Sequence, residues 1–263
     1  MMNDKYLTLR NILVRSQKLA VAFSAGVDST FLLKAAHDEL GENVTAFIAV
    51  SPVVPSRDIS EAEAFCEAEG IRLIKVDYDP LSVPGFCENP VNRCYICKKA
   101  LFSKLVETAS EHGIDTVIEG SNADDVFDYR PGMKALEELG IGSPLKEAGL
   151  TKDEIRQLSK NLGLATHSKS SFACLATRIP YGDTITAGLL ERIELAEDYL
   201  YDLGISQFRV RTHGDIARIE VLPSDIERLA REDVRLKLTD YFKSIGYKFV
   251  ALDLTGYKKP DKV

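Results

Sequence analysis

The sequence predicts a doubly wound α/β protein with a parallel sheet, followed by a small α+β unit, and three observations carry that prediction. Short apolar runs alternate with segments of helical spacing through the first half of the chain. A turn of small residues, Ser24 to Thr30, joins the first apolar run to the first helical segment. After an irregular stretch ending at Gly182, strand and helix patterns resume over about 80 residues, enough for a second, smaller domain. The expected division is therefore 1–182 and 183–263.

Taken in order, Lys18 to Phe23 (KLAVAF) is a continuous apolar run of the kind buried on both faces of a parallel sheet, and Ser29 to Leu40 shows helical spacing. Val44 to Val50 repeats the strand signal and Ile59 to Glu69 the helical one. Arg72 to Asp77 and Thr116 to Glu119 read as the third and fourth strands. Between them, Asp79 to Arg93 carries Pro80, Pro84, Gly85 and Pro90, so it is expected to be a functional loop. Thr151-Lys-Asp-Glu154 is a capping box opening a helix to Leu162, which Gly163 closes. Ala165 to Gly182 has no sustained period. Beyond it lie a helix over 189–203, strands over 207–212 and 217–221, helices near 224–231 and up to Ile245, and a strand over 248–252. A ferredoxin-like arrangement is one candidate for this unit.

Composition narrows the function. With 45% hydrophobic and 28% charged residues the chain has the make-up of a soluble globular protein. Its net charge of −7, from 33 Lys plus Arg against 40 Asp plus Glu, argues against broad binding to nucleic acid or to an anionic membrane. No signal-peptide pattern opens the sequence and no 18-residue apolar run occurs, so a cytoplasmic location is expected. In a reducing compartment five cysteines (Cys66, Cys87, Cys94, Cys97 and Cys174) suggest thiol or metal chemistry rather than a disulfide framework.

Ser24-Ala-Gly-Val-Asp28-Ser29-Thr30 sits where free N–H groups and the helix dipole favour an anion. It is neither a Walker A loop nor a dinucleotide fingerprint, since the Gly-Lys-Ser/Thr ending and GxGxxG are both missing. Cys94-Tyr-Ile-Cys97 enters a helix through Leu101 and Leu105, and Arg93, Lys98 and Lys99 favour its thiolates. With Cys174 it offers three thiolates for a 4Fe-4S cluster; packing cysteines or a redox pair are the plainer readings. Cys66, on an apolar helical face, and Cys87, in the loop, read as structural or incidental. Arg209 and Arg211 share one strand face and can turn toward one anion. Asp124 and Asp125 follow the fourth strand, and a solvated acidic pair is the plain alternative.

The turn resembles the PP-loop of the ATP pyrophosphatases, which adenylate a substrate and release pyrophosphate. The resemblance implies that Ser24, Gly26, Asp28 and Ser29 cradle pyrophosphate with Mg²⁺, while Asp124 and Asp125 face the nucleotide. SAGVDST, RCYICKK, DYRPG (Asp128 to Gly132), CLATRIPYG (Cys174 to Gly182) and FRVRTHGDIARIE (Phe208 to Glu220) together resemble the LarE family over nearly the whole chain. That resemblance implies an ATP-dependent sulfurtransferase of nickel-pincer nucleotide biosynthesis. It would adenylate a carboxylate of pyridinium-3,5-biscarboxylic acid mononucleotide and insert sulfur to give a thiocarboxylate. Cys94, Cys97 and Cys174 match the three-cysteine branch associated with a 4Fe-4S cluster, although Cys174 as a direct sulfur donor stays open. Arg209 and Arg211 would meet the substrate phosphate, and Arg178 would orient the activated carboxylate or AMP; Glu197 is a family-matched polar residue without a stated role. An external sulfide or sulfur donor and a homo-oligomer are further expectations. Rival readings are a PP-loop amidotransferase-like synthetase, a tRNA thiolase, and a nonenzymatic nucleotide- or metal-sensing module.

Overall fold

The computed structural model describes residues 2–127, 131–170 and 173–258. Asp128, Tyr129 and Arg130 of the Asp128–Gly132 motif lie outside these, as do Ser171 and Phe172 of the irregular stretch. The chain forms two compact units, one of residues 2–83 and 92–170, the other of residues 84–91 and 173–258.

The first unit runs α1 (Met2–Leu13), β1 (Leu19–Ala22), α2 (Val27–Leu40), β2 (Val44–Val50), α3 (Ser56–Glu69), β3 (Arg72–Asp77), α4 (Arg93–Glu111), β4 (Thr116–Ile118), α5 (Pro131–Glu138), α6 (Pro144–Glu147) and α7 (Lys152–Asn161). Among the described residues its strands form a four-stranded sheet in the order β3-β2-β1-β4, parallel throughout. The alternation of apolar runs and helical segments thus gives the expected α/β fold. Because successive strand residues face opposite sides, β1 feeds two cores. Leu19 and Val21 pack with Leu9 and Leu13 of α1, Phe31 and Leu32 of α2 and Ile155 of α7. Ala20 packs with Phe47 of β2, Phe102 and Leu105 of α4 and Leu136 of α5. Burial on both faces explains why this strand reads as an unbroken apolar run.

The helix α1 is not among the elements the sequence predicts. Its buried stripe is narrow, Leu9 and Leu13, and Leu7 is exposed, so its periodicity is weak. The capping box stands as read: the Thr151 hydroxyl accepts from the Glu154 N–H, and the Glu154 carboxylate accepts from the Thr151 N–H.

In the second unit come α8 (Ala187–Asp202), β5 (Phe208–His213), β6 (Ile216–Val221), α9 (Pro223–Ala230), α10 (Glu232–Ser244) and β7 (Phe249–Leu252). β5 and β6 pair antiparallel, whereas β6 and β7 pair parallel. This three-stranded mixed sheet, with β6 central among the described residues, is α+β but lacks the fourth strand of a ferredoxin-like fold. Residues 84–91 belong to this unit although the rest of it begins more than eighty positions further along the chain. Buried Asn89, at φ 52°, donates from its amide to the carbonyls of Ile179 and Pro180, and its own carbonyl accepts from the Gly182 N–H.

Candidate active site

In the first unit the sheet order reverses at β1: β2 and β3 lie to one side, β4 to the other. Ligands of open α/β sheets bind at the carboxyl ends of the strands flanking such a switch point, where the chain leaves in opposite directions and opens a crevice. The segments that emerge there are Ser24–Ser29 after β1 and Glu119–Asp125 after β4.

The first segment is a tight turn held by its own serines. Ser24 and Ser29 share a hydroxyl–hydroxyl bond of 3.0 Å, and the Ser29 hydroxyl donates to the Gly26 carbonyl at 3.3 Å. Ala25 adopts φ 50°, a left-handed conformation that a Cβ makes unfavourable. Gly26 caps α2 and has no side chain to bond the first-turn N–H groups, the donors with which a helix start can hold an anion. Gly120 brings the second segment against the first: a Cβ there would lie 3.0 Å from the Ser29 nitrogen. A glycine at this position is the condition for the two segments to meet.

The second segment is pinned by carboxylates. Buried Glu119 accepts from the Ser121 N–H and hydroxyl and from the Ser143 hydroxyl at 2.6–3.0 Å. Asp125 accepts from the Asn122 N–H, and the Asp124 N–H donates to the Asn122 side chain. Lys152, at the start of α7, ties both segments together. Its N–H donates to Asp124 at 2.8 Å and its ammonium to Asp28 at 2.5 Å. Burial pushes the Asp28 carboxyl above its ordinary range, against the pull of Lys152, and its Oδ1 has no hydrogen-bond partner among the described residues.

So the structure brings Ser24, Gly26, Asp28, Ser29, Asp124 and Asp125 to one end of the sheet. It adds Lys152, which in the sequence stands out only as part of a capping box. No spacing in the sequence points from Lys152 to Asp28, 124 residues away; four residues on from Lys152, Arg156 donates to the His167 and Lys169 carbonyls.

Cys94 and Cys97 lie near the start of α4, one turn apart and half-buried. The Tyr78 hydroxyl donates to the Cys97 carbonyl at 3.0 Å and approaches its Sγ at 3.5 Å. Cys66 is buried in the sheet core, and that burial pushes its thiol up to about 11. Cys174 belongs to the second unit and is exposed. Among the described residues no group of three or more His, Cys, Asp or Glu side chains is arranged to hold a metal ion.

The second unit gathers the arginines. Arg178 and Glu197 form a fully enclosed bidentate pair at 2.7 and 2.9 Å, and Glu197 also accepts from the Val210 N–H at 3.0 Å. The other arm of Arg178 donates to the Ala173 carbonyl and the Thr177 hydroxyl, so this guanidinium braces the Cys174 turn from within. Arg209 is buried, lies over the Tyr257 ring at 5.2 Å and donates to the Phe208 carbonyl. Burial and the charge of Arg178 push it down to about 10, so positive charge is crowded here. Arg211, half-buried, pairs with Glu220 and donates to the Thr177 carbonyl at 2.7 Å.

No protein-family model matches the chain. Individual proteins do. An uncharacterised protein of Synechocystis is 40% identical over 98% of this chain and 96% of its own length. The pyridinium-3,5-bisthiocarboxylic acid mononucleotide synthase of Lactiplantibacillus plantarum is 37% identical over 97% of this chain and 92% of its own.

The chain belongs to the LarE family.

This LarE-family chain is also 24% identical, over 56% of its length and 39% of the relative's, to the argininosuccinate synthase of Natronomonas pharaonis, as expected if the PP-loop sheet is the shared part. The family makes it an ATP-dependent sulfurtransferase. Among the described residues no helix is long and apolar enough to cross a membrane.

Proposed function

We propose that the protein uses ATP to adenylate a carboxylate of pyridinium-3,5-biscarboxylic acid mononucleotide, releases pyrophosphate, and replaces AMP with sulfur to form a thiocarboxylate. The observation that carries this reading is full-length similarity to the synthase of the bisthiocarboxylic acid mononucleotide, joined to the turn at the switch point. A carboxylate oxygen is a poor leaving group. When carboxylate attacks the α-phosphorus, the bond to pyrophosphate breaks; sulfur then attacks the acyl carbon, and AMP leaves with the C–O electron pair.

In this reading Ser24, Gly26, Asp28 and Ser29 hold the pyrophosphate portion and Lys152 neutralises it, with Asp124 and Asp125 at the nucleotide. Mg²⁺ fits the same carboxylates, since it needs only one or two of them beside substrate phosphates, and the orphan Oδ1 of Asp28 is such an oxygen. The ion would offset phosphate charge. Arg209 and Arg211 take the substrate phosphate, and Arg178, enclosed against Glu197, orients the activated group through the Cys174 turn that it braces. Cys94, Cys97 and Cys174 supply the sulfur centre. Two thiols one helical turn apart, with a third on an exposed turn, have the donor chemistry of a 4Fe-4S site replenished by external sulfide. We place the enzyme in the cytoplasm as a homo-oligomer, a state supported by exposed Ile216 and Phe249, paired across the β6–β7 ladder.

The test is pyrophosphate release from ATP in the presence of the mononucleotide, with Asp28→Ala and Lys152→Ala as controls. Release that needs the mononucleotide and is lost in both variants supports the reading; release indifferent to either overturns it. Anaerobic iron and sulfide assays test the cluster separately: a colourless protein with intact thiols removes it and leaves adenylation standing. Mass spectrometry after turnover decides the donor, because loss of one sulfur at Cys174 marks a sacrificial cysteine.

A further inference from the structure

Lys169 is a cation that neither the sequence motifs nor the proposed chemistry uses. Its ammonium donates to Asp58 at 3.0 Å and to Glu61 at 2.5 Å, two carboxylates one turn apart on α3, and to the carbonyl oxygen of Ala25 at 3.1 Å. The side chain is 18% exposed. Burial works against its charge, and Asp58 and Glu61 outweigh that effect, so it stays an ammonium. From behind, the Arg156 fork holds the His167 and Lys169 carbonyls at 2.6 and 2.9 Å. The cation is therefore fixed at both its backbone and its tip.

The third contact is the informative one. Two acceptors already neutralise Lys169, yet the ammonium also reaches the carbonyl of Ala25, the buried loop residue held at φ 50°. In a planar trans peptide the carbonyl and the next N–H point in opposite directions. Drawing the Ala25 oxygen toward α3 turns the Gly26 N–H the other way.

We propose that Lys169 is a positioning residue for ATP: by holding the Ala25 carbonyl it aims the Gly26 N–H into the concave side of the turn, where the β- and γ-phosphates bind. This rests on reading Ser24–Ser29 as the phosphate loop. Lys169 acts through the loop backbone, so its effect is confined to ligands that fill the phosphate side.

The experiment is equilibrium binding of ATP, pyrophosphate and AMP to the full chain. A charge-assisted hydrogen bond lost from the loop weakens ATP and pyrophosphate about tenfold or more in Lys169→Met, and leaves AMP within about twofold. Lys169→Arg retains a donor in reach of Ala25 and restores most of the ATP affinity. Because Lys169→Met strands Asp58 and Glu61, the triple variant Asp58→Asn/Glu61→Gln/Lys169→Met is measured beside it; it removes the three charges together and shows the same selective loss. Equal weakening of ATP and AMP, or unchanged ATP binding in both Met variants, overturns the proposal. If wild-type protein binds ATP no better than AMP, the loop reading fails and the proposal falls with it. If wild-type protein keeps that preference and Lys169→Met keeps it too, Lys169 alone is refuted.

Discussion

Removing one half of the Arg178–Glu197 pair is the most severe single change that the structure predicts. In Glu197→Ala the Arg178 guanidinium loses two charge-assisted bonds, at 2.7 and 2.9 Å, while both side chains are wholly enclosed. The Val210 N–H loses its acceptor as well. An uncompensated buried charge of this kind costs about 3–5 kcal/mol, a shift of roughly two to three and a half orders of magnitude in the folding equilibrium. Arg178→Met/Glu197→Leu removes both charges; the Ala173 carbonyl and the Thr177 hydroxyl lose a donor on exposed and half-buried residues, and the buried Val210 N–H is stranded at a cost of about 1–3 kcal/mol. The assay is urea unfolding followed by circular dichroism and tyrosine fluorescence, the chain having no tryptophan. A single variant within about 1 kcal/mol of wild type, or a double variant worse than the single, would refute the argument that burial sets the penalty.

Three further outcomes follow from other parts of the molecule. Gly120→Ala drives a Cβ against the backbone of Ser29 and Asp28, so it should cost about 1–3 kcal/mol and weaken ATP binding more than AMP binding; unchanged stability and affinity would show that the two segments can move apart. The Glu154 carboxylate is held below its ordinary 4.5 by the Lys5 ammonium and by hydrogen bonding to Thr151, so its stabilising effect is in place above that value and fades as pH falls through the depressed native one; Glu154→Gln should flatten this acid limb of the stability profile. In native protein at pH 8, iodoacetamide should modify exposed Cys174 first and Cys66 last, because Cys66 is enclosed and its thiol is pushed up to about 11; early labelling of Cys66 contradicts the packing.

Much of the first unit was legible because its physics is local. The apolar runs of β1 and β2, the capping box at Thr151 and the small-residue turn at Ser24 are set by burial, helix-end chemistry and backbone freedom, all of which act over a few residues. What escaped was chemistry assembled across long separations. Lys152 meets Asp28 over 124 residues and Lys169 meets Ala25 over 144, and a lone lysine carries no periodicity to announce its partner. The arginines divide the same way. That Arg209 and Arg211 share a strand face follows from spacing; that Arg178 is enclosed against Glu197 on a separate helix does not. α1 was missed because two buried leucines make too narrow a stripe to stand out.

The Asn89 amide finds its acceptors, the Ile179 and Pro180 carbonyls, about ninety positions downstream. On a ribosome adding 5–20 residues per second, that interval is roughly 5–18 s. During translation the arm must wait, its polar groups satisfied by water, while the four-stranded sheet of the first unit is already free to form. Newly made protein should therefore acquire its two halves in sequence, the later one closing only once the distant carbonyls have emerged from the exit tunnel.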